Sequence, residues 1–134
     1  MTTVNDIQLI EIPKITDVKG NLSFIEKGII PFDIKRVYYL YDIPSNAERH
    51  GHAHKKLNQF IIALSGSFEI VLKDGINERI ITLNKPNQGM LLPPGIWREI
   101  QNFSAGSVCL IIASENFEES DYVRNYKEFQ LSKY

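Results

Sequence analysis

The feature that most constrains the fold is a series of short apolar runs separated by turn signals. Phe60 to Leu64 ends at the turn Ser65-Gly66, and Ser67 to Lys73 ends at the hairpin-type sequence Asp74-Gly75-Ile76-Asn77. Ile34 to Tyr41 is a third such run, rich in β-branched and aromatic residues. Closely spaced strands of this kind are typical of antiparallel sandwiches and barrels. The sequence therefore predicts an all-β fold.

Only the tail of the chain favours a helix. We expect it over Asp121 to Phe129, with Ser120 as the N-cap. Its apolar side would carry Tyr122, Val123, Tyr126 and Phe129. With 134 residues, of which 43% are hydrophobic, the chain fits a single domain over residues 1–134. We expect one all-β domain with a short C-terminal helix.

Composition and charge narrow the class of protein. The formal net charge of −1 gives no broad electrostatic attraction to nucleic acid. We expect no membrane segment, because no apolar run approaches membrane-spanning length and no basic N-terminal region leads into one. The single cysteine, Cys109, lies within the apolar run Ser107 to Ala113, so a buried, inert thiol is expected. These features favour a cytoplasmic protein.

All three histidines of the chain fall within residues 50–54. His52 and His54 are two positions apart, so on a strand their side chains would lie on the same face. Two imidazoles beside cations form either a metal site or a proton-transfer site, and their spacing alone leaves both possibilities open. We do not expect His50 to take part in catalysis.

Two segments resemble the motifs of the cupin fold, a small antiparallel jelly-roll barrel. Gly51-His52-Ala53-His54 with Gln59 and Gly66 resembles the first motif, and Pro93 to Arg98 with Asn102 resembles the second. In metal-binding cupins an acid and a third histidine complete the ligand set. Here Gln59 and Arg98 stand at those positions, and a guanidinium cannot donate a lone pair to a metal. We therefore expect no metal and favour proton transfer.

A longer set of segments carries a more specific resemblance. These segments are Pro31 to Tyr39, Arg49, His52 to Leu57, Gly66-Ser67, Trp97-Arg98-Glu99, Ala113-Ser114 and Asp121 to Tyr126. Together they resemble the dTDP-4-keto-6-deoxyglucose 3,4-ketoisomerases, metal-free cupins of deoxysugar biosynthesis. The resemblance implies movement of a ketone from C4 to C3 of a dTDP-linked sugar, for lipopolysaccharide or another surface glycan. It also implies that the enzyme uses no cofactor and forms a homodimer with exchanged N-terminal strands.

The resemblance assigns the base and proton-shuttle roles to His52 and His54, without deciding which residue has which role. Tyr38 or Arg49 would stabilise the developing oxyanion. The candidates for binding the diphosphate are Arg36, Arg49, Lys56 and Arg124. Arg36 and Lys56 are equally well explained as solvated charges. Lys19 and Arg98 occupy positions that vary within this family with the configuration left at C4 of the product. By the same resemblance, Arg98 in place of a histidine favours the gluco configuration.

The sequence is also compatible with three other functions. A nucleotide-sugar 3,5-epimerase also removes a proton beside a ketone, but it would normally use a histidine with a distant aspartate and a catalytic tyrosine, and the close histidine pair fits it less well. A non-catalytic sugar-binding cupin would use the same cavity without turnover. A metal-dependent cupin oxygenase or isomerase would require a metal that the present donor set does not favour.

Overall fold

The computed structural model of the chain describes residues 1–44 and 46–133, and the side chain of His50 lies outside the described part. In this part, short strands account for most of the regular structure. The elements are β1 (Gln8–Glu11), β2 (Lys14–Asp17), β3 (Gly20–Ser23), β4 (Arg36–Leu40), β5 (Arg49–His54), β6 (Gln59–Ser65), β7 (Phe68–Lys73), β8 (Glu78–Leu83), β9 (Gln88–Leu92), β10 (Trp97–Gln101), β11 (Val108–Ala113), β12 (Tyr122–Val123) and α1 (Tyr126–Lys133), with 3-10 turns at Val4–Asp6 and Glu119–Asp121.

The strands form two five-stranded sheets and one separate hairpin. The first sheet has the order β1-β9-β6-β11-β4 and the second has the order β12-β5-β10-β7-β8; within the described residues, β2 pairs only with β3. All the strand pairs are antiparallel. The all-β prediction is thus confirmed. The interpretation of residues 1–134 as a single domain stays a prediction.

Alternation along the strands divides the buried residues between two layers. On β6, Ile61 and Ala63 join the core between the sheets, whereas Phe60 and Ile62 belong to a second cluster on the outer side of the first sheet. This follows from the two-residue period of a strand, which sends neighbouring side chains to opposite faces. Full burial of each large apolar side chain contributes about 1.5–3 kcal/mol. The fold therefore rests mainly on these layers.

The outer side of the second sheet is covered by α1. Phe129, which is 2% exposed, packs there with Ala53 and Trp97. The backbone of Gly51 comes so close to Trp97 that an added β-carbon would lie only 2.3–2.5 Å from indole atoms. Glycine therefore lets the histidine strand and the tryptophan pack at this distance.

The predicted helix start at Ser120 is wrong. Residues 122–123 form β12 instead, in register with His54 and Ala53 of β5. The helix begins at Tyr126, and the Oδ1 atom of Asn125 accepts the Glu128 N–H at 3.0 Å. Pairing with a neighbouring strand satisfies the backbone of residues 122–123, which outweighs a weak local helix pattern.

Two further expectations concern exposure and membranes. Cys109 is completely buried, and burial raises the pKa of its thiol to about 12. The prediction of a buried, inert cysteine is confirmed. Among residues 1–44 and 46–133, no helix reaches the length and hydropathy needed to cross a bilayer.

Candidate active site

Polar side chains from both sheets meet at one end of the space between them. Because strand residues alternate, the burial of Ala53 on the outer side places His52 and His54 on the inner side of β5. This end opens into a cavity of about 470 Å³ whose walls include Tyr38, His52 and Arg98. The sequence-predicted histidine pair therefore lies at a cavity rather than in a closed core.

The two histidines differ in their access to this cavity. His52 lines the wall, whereas His54 is 1% exposed and is not among the lining residues. Their ring centroids are 4.9 Å apart and their planes are nearly perpendicular, at 87°. The ring of Tyr122 packs on both, at 4.3 Å from His54 and 5.1 Å from His52. His52 is thus placed to touch a ligand, with His54 behind it.

His54 is bonded to a carboxylate from a distant part of the chain. Its Nδ1 lies 2.9 Å from Oδ2 of Asp121, which is only 4% exposed. A carboxylate oxygen only accepts hydrogen bonds, so Nδ1 carries the hydrogen. Burial, together with the nearby Arg98 guanidinium, lowers the pKa of His54 to about 4 against the opposing effect of Asp121. The imidazole is therefore neutral at neutral pH.

A second polar chain connects Arg98 to Tyr38. The Nη1 atom of Arg98 donates to Oε1 of Gln59, and Nε2 of Gln59 donates to the hydroxyl oxygen of Tyr38 at 2.9 Å. Burial and the neighbouring Tyr122 raise the pKa of Tyr38, so the phenol stays protonated. Because its oxygen already accepts from Gln59, the Tyr38 hydrogen remains available for a ligand.

Arg98 occupies the position expected for the third cupin histidine, directly opposite His52 in the β5–β10 ladder. It is 3% exposed, and burial lowers its pKa to about 10, which leaves the guanidinium charged at neutral pH. Within the described residues, no group of three or more His, Cys, Asp or Glu side chains could hold a metal ion. A fixed cation beside two imidazoles disfavours a second cation. Operation without a metal stays a prediction.

The cavity walls carry more positive than negative side chains. The lining arginines are Arg36, Arg49, Arg98 and Arg124, and the lining acids are Glu48 and Glu99. The guanidinium of Arg36 lies 4.4 Å from the Tyr38 ring centroid. That of Arg124 lies 4.1 Å from the Tyr122 centroid and donates to both carboxylate oxygens of Glu119, at 2.7 and 2.9 Å. Such a cavity suits an anionic ligand.

The structure separates the other predicted residues by their position. Lys56 is exposed and is not among the residues that line the cavity. Its contact with the site is made by the backbone N–H, which donates to Oδ1 of Asp121 at 2.8 Å. Arg124 precedes the helix instead of lying on it. The expectation about His50 falls on a side chain outside the described part. Lys19 is exposed in the turn between β2 and β3 and does not line this cavity.

Sequence reasoning missed two contributors, Asp121 and Tyr122. Both were expected inside a helix, which would have kept them away from β5. Asp121 is 67 positions from His54, and no local pattern in the sequence indicates that contact. Only the pairing of β12 with β5 brings the two together.

Comparison with known proteins places this geometry in a family. The family model described as “FdtA: WxcM-like, C-terminal” matches residues 5–133. The TDP-4-oxo-6-deoxy-alpha-D-glucose-3,4-oxoisomerase of Aneurinibacillus thermoaerophilus is 41% identical over 124 residues, which are 92% of this chain and 89% of that protein.

Two solved structures resemble the chain over nearly their whole lengths. The first is QdtA, a sugar 3,4-ketoisomerase from Thermoanaerobacterium thermosaccharolyticum in complex with TDP; it has a TM-score of 0.94 and 44% identity, covering 97% of this chain and 96% of that one. The second is WlaRB, a TDP-quinovose 3,4-ketoisomerase from Campylobacter jejuni, with a TM-score of 0.91 and 40% identity over 96% and 99% of the two chains. The predicted cupin fold is confirmed by these structures.

The 3,5-epimerase alternative has only a distant counterpart. A dTDP-4-dehydrorhamnose 3,5-epimerase from Bacillus anthracis has a TM-score of 0.79 at 15% identity, covering 92% of this chain and 81% of that one. At this identity the likeness extends to the fold alone. The family match over residues 5–133 and the relative at 41% identity point elsewhere. The chain therefore belongs to the FdtA (WxcM-like, C-terminal) family, as the resemblance to the sugar 3,4-ketoisomerases predicted.

Proposed function

We propose that the protein is a TDP-sugar 3,4-ketoisomerase that converts dTDP-4-keto-6-deoxyglucose into a dTDP-3-keto-6-deoxyhexose. The observation that carries the proposal is the paired imidazoles of His52 and His54 at an arginine-lined cavity. The relatives at 40–44% identity, which are named as 3,4-ketoisomerases or 3,4-oxoisomerases, support the same reaction.

The reaction requires only the movement of hydrogens. The C3–H bond breaks and a C4–H bond forms, while the hydroxyl hydrogen leaves O3 and O4 gains one. Substrate and product are isomers, so no external oxidant or reductant enters the balance. A group that takes a carbon-bound proton must be a base in its resting state, and the developing negative charge on O4 must be stabilised.

We assign the C3 proton to His52, because it is the histidine that lines the cavity. Tyr38 lies on the first sheet, opposite the histidine strand, and its available hydroxyl hydrogen would be donated to the substrate from that side. Within the described residues, Nε2 of His54 and Nε of Arg98 are buried without hydrogen-bond partners. We assign Nε2 of His54 to move the hydroxyl proton from O3 to O4, and the Arg98 N–H to a sugar oxygen, since buried polar groups are normally paired.

The placement of His52 and Tyr38 on opposite sheets supports the gluco product. In the gluco configuration the axial hydrogens at C3 and C4 lie on opposite faces of the ring. A sugar bound between the sheets would lose its C3 proton to His52 and gain its C4 proton from the side of Tyr38. Exchange with solvent would then return His52 to its neutral form and Tyr38 to its protonated form. Quinovose, named for the WlaRB relative, is 6-deoxyglucose and has the same configuration.

The nucleotide half of the substrate would bind through the arginines. A diphosphate carries negative oxygens that guanidinium groups bind in pairs. Arg36 and Arg124 lie on the walls and are each held against an aromatic ring, so both are oriented before a ligand arrives. Arg49 lines the same cavity. The role of Lys56 stays a prediction with no support from the cavity.

We also propose a homodimer in which N-terminal strands are exchanged. Among residues 1–44 and 46–133, the hairpin β2–β3 pairs with neither main sheet, and it exposes apolar side chains, with Ile15 59% and Leu22 56% exposed. Val37 and Tyr39 are also exposed, on the edge strand β4 of the first sheet. Sedimentation of the protein and of an Ile15→Asp/Leu22→Asp variant tests this: a dimer that the variant dissociates is expected, and a wild-type monomer would contradict it. A cytoplasmic location and a role in surface-glycan synthesis both agree with a substrate that is linked to a nucleotide.

Incubation of the purified protein with dTDP-4-keto-6-deoxyglucose tests the proposed reaction. We expect a 3-keto sugar, trapped by a PLP-dependent 3-aminotransferase and identified by NMR with an equatorial C4 hydroxyl. An axial C4 hydroxyl would contradict the gluco assignment only. Inversion at C3 or C5 with the 4-ketone retained would support the epimerase instead. Tight binding of the nucleotide sugar without any product would support a binding protein.

A further inference from the structure

The carboxylate of Asp121 is held at both oxygens, although it lies in a short connecting segment. Oδ2 is 2.9 Å from Nδ1 of His54, and Oδ1 accepts the backbone N–H of Lys56 at 2.8 Å. In addition, the Asp121 carbonyl accepts the Lys55 N–H at 3.0 Å. Main-chain bonds from the two residues that follow His54 therefore fix Asp121, and with it the carboxylate, relative to the imidazole.

We propose that Asp121 is a positioning residue: it holds His54 in the tautomer with the hydrogen on Nδ1 and the lone pair on Nε2. This inference rests on the proposed isomerase function for its effect on turnover. With Nδ1–H directed at the carboxylate, Nε2 is left as the basic nitrogen of the ring. Among the described residues that nitrogen is buried and has no hydrogen-bond partner, although buried polar atoms are normally paired.

The charge state of His54 argues against a purely structural ion pair. Arg98 from β10, Arg124 beside β12, and the rings of His52 and Tyr122 surround the imidazole together with Asp121. Burial and Arg98 hold the pKa of His54 at about 4, so the ring is neutral at neutral pH. A neutral imidazole gains orientation and a defined tautomer from the carboxylate rather than full charge pairing.

The substitution Asp121→Asn separates orientation from packing. A carboxylate accepts at both oxygens, whereas an amide of the same shape has one acceptor and one donor. The Lys56 backbone N–H can only donate, so it takes the amide oxygen. The amide N–H₂ then faces Nδ1 of His54, which must accept, and the ring hydrogen moves to Nε2. The variant therefore keeps the shape of the site and reverses the tautomer.

A matched control is Asp74→Asn. Asp74 is also buried, at 1% exposure, and its carboxylate accepts the backbone N–H groups of Val4, Ile76 and Asn77. Its hairpin lies outside the walls of the catalytic cavity. Both variants are expected to lose thermal stability, because each replaces an accepting oxygen by a donor. Only Asp121→Asn is expected to lose turnover.

The experiment combines ring-nitrogen NMR with steady-state kinetics. In ¹⁵N-histidine-labelled protein, with signals assigned through His54→Asn, we expect a protonated Nδ1 and an unprotonated Nε2 for His54. In Asp121→Asn we expect the reverse, with kcat reduced by about 10²- to 10⁴-fold and KM within about twofold, as when a catalytic histidine is held in the wrong tautomer. Asp74→Asn should leave the His54 signals and kcat unchanged.

A protonated Nε2 in the wild type would overturn the proposal, as would an unchanged kcat in Asp121→Asn or an equal loss in Asp74→Asn. The NMR measurement needs no substrate. If the wild-type protein did not turn over dTDP-4-keto-6-deoxyglucose, the proposed function would fail, while the tautomer assignment would still be tested by the nitrogen signals.

Discussion

The two ends of the space between the sheets share strand β6 but have opposite character. At the apolar end, Ala63, Phe68, Leu83, Phe103 and Cys109 are buried against one another. At the site end, the inner side chains are Tyr38, His52, His54, Gln59 and Arg98. Strand β6 shows the change within one element, since its inner positions run from Gln59 to Ala63.

The difference shows how the fold tolerates a polar interior. Buried polar groups are costly unless they are paired, and at the site end partners from neighbouring strands supply the pairs, such as Gln59 between Arg98 and Tyr38. The exceptions in the described part include Nε2 of His54 and Nε of Arg98. The apolar end therefore stabilises the fold, whereas the site end leaves some buried hydrogen-bonding atoms without a protein partner among the described residues.

The largest expected effect comes from the site end. His52→Asn removes the proposed base at the cavity wall and should reduce kcat by about 10²- to 10⁴-fold, the usual contribution of general acid–base catalysis. Thermal unfolding should change little, because His52 is only half-buried and is not part of the apolar core. Coupled turnover of dTDP-4-keto-6-deoxyglucose measures the change.

Turnover that survived His52→Asn would contradict this role. Activity that was abolished by a chelator and restored by stoichiometric divalent metal would also contradict it. That result would favour a metal-dependent cupin, although Gln59 and Arg98 stand where such cupins have an acid and a third histidine.

Sequence patterns predicted the apolar end better than the site end. The run Phe60 to Leu64 and the hairpin at Asp74 follow from local periodicity and turn chemistry, and β6, β7 and β8 lie where these predict them. His52 and His54 were found because they share one strand. Asp121 was not, because its contact depends on β12 pairing with β5 across the chain, which a weak helix pattern at residues 121–129 concealed.

The apolar end should show the converse effect. Leu83 is completely buried and pairs with Phe68 across β7 and β8, away from the cavity walls. Leu83→Ala should lower the free energy of unfolding by about 2–5 kcal/mol, through lost burial and the cavity left behind. The kcat of the folded protein should stay within about twofold. Denaturant unfolding and the coupled assay measure the two quantities. A loss of kcat without a loss of stability would contradict the proposed separation between an apolar end that stabilises the fold and a site end that carries the chemistry.

A smaller effect should appear in the pH dependence of stability. The pKa of folded His54 is about 4, whereas an unfolded histidine has a pKa of about 6.5. Between these values the unfolded state binds a proton that the folded state does not, so the free energy of unfolding falls as the pH falls from about 6.5 to about 4. His54→Gln should flatten this part of the profile. An equally steep profile in the variant would contradict the low pKa.

The most direct test of the central claim is the fate of the hydrogens in deuterated water. We expect the wild-type protein to convert dTDP-4-keto-6-deoxyglucose, and the amino sugar trapped by a 3-aminotransferase to carry solvent deuterium at C4 with a gluco configuration. His52→Asn should give almost none of this product. Conversion with no deuterium at C4, or deuterium confined to C5 of an unmoved 4-ketone, would contradict the proposed exchange between His52, Tyr38 and solvent.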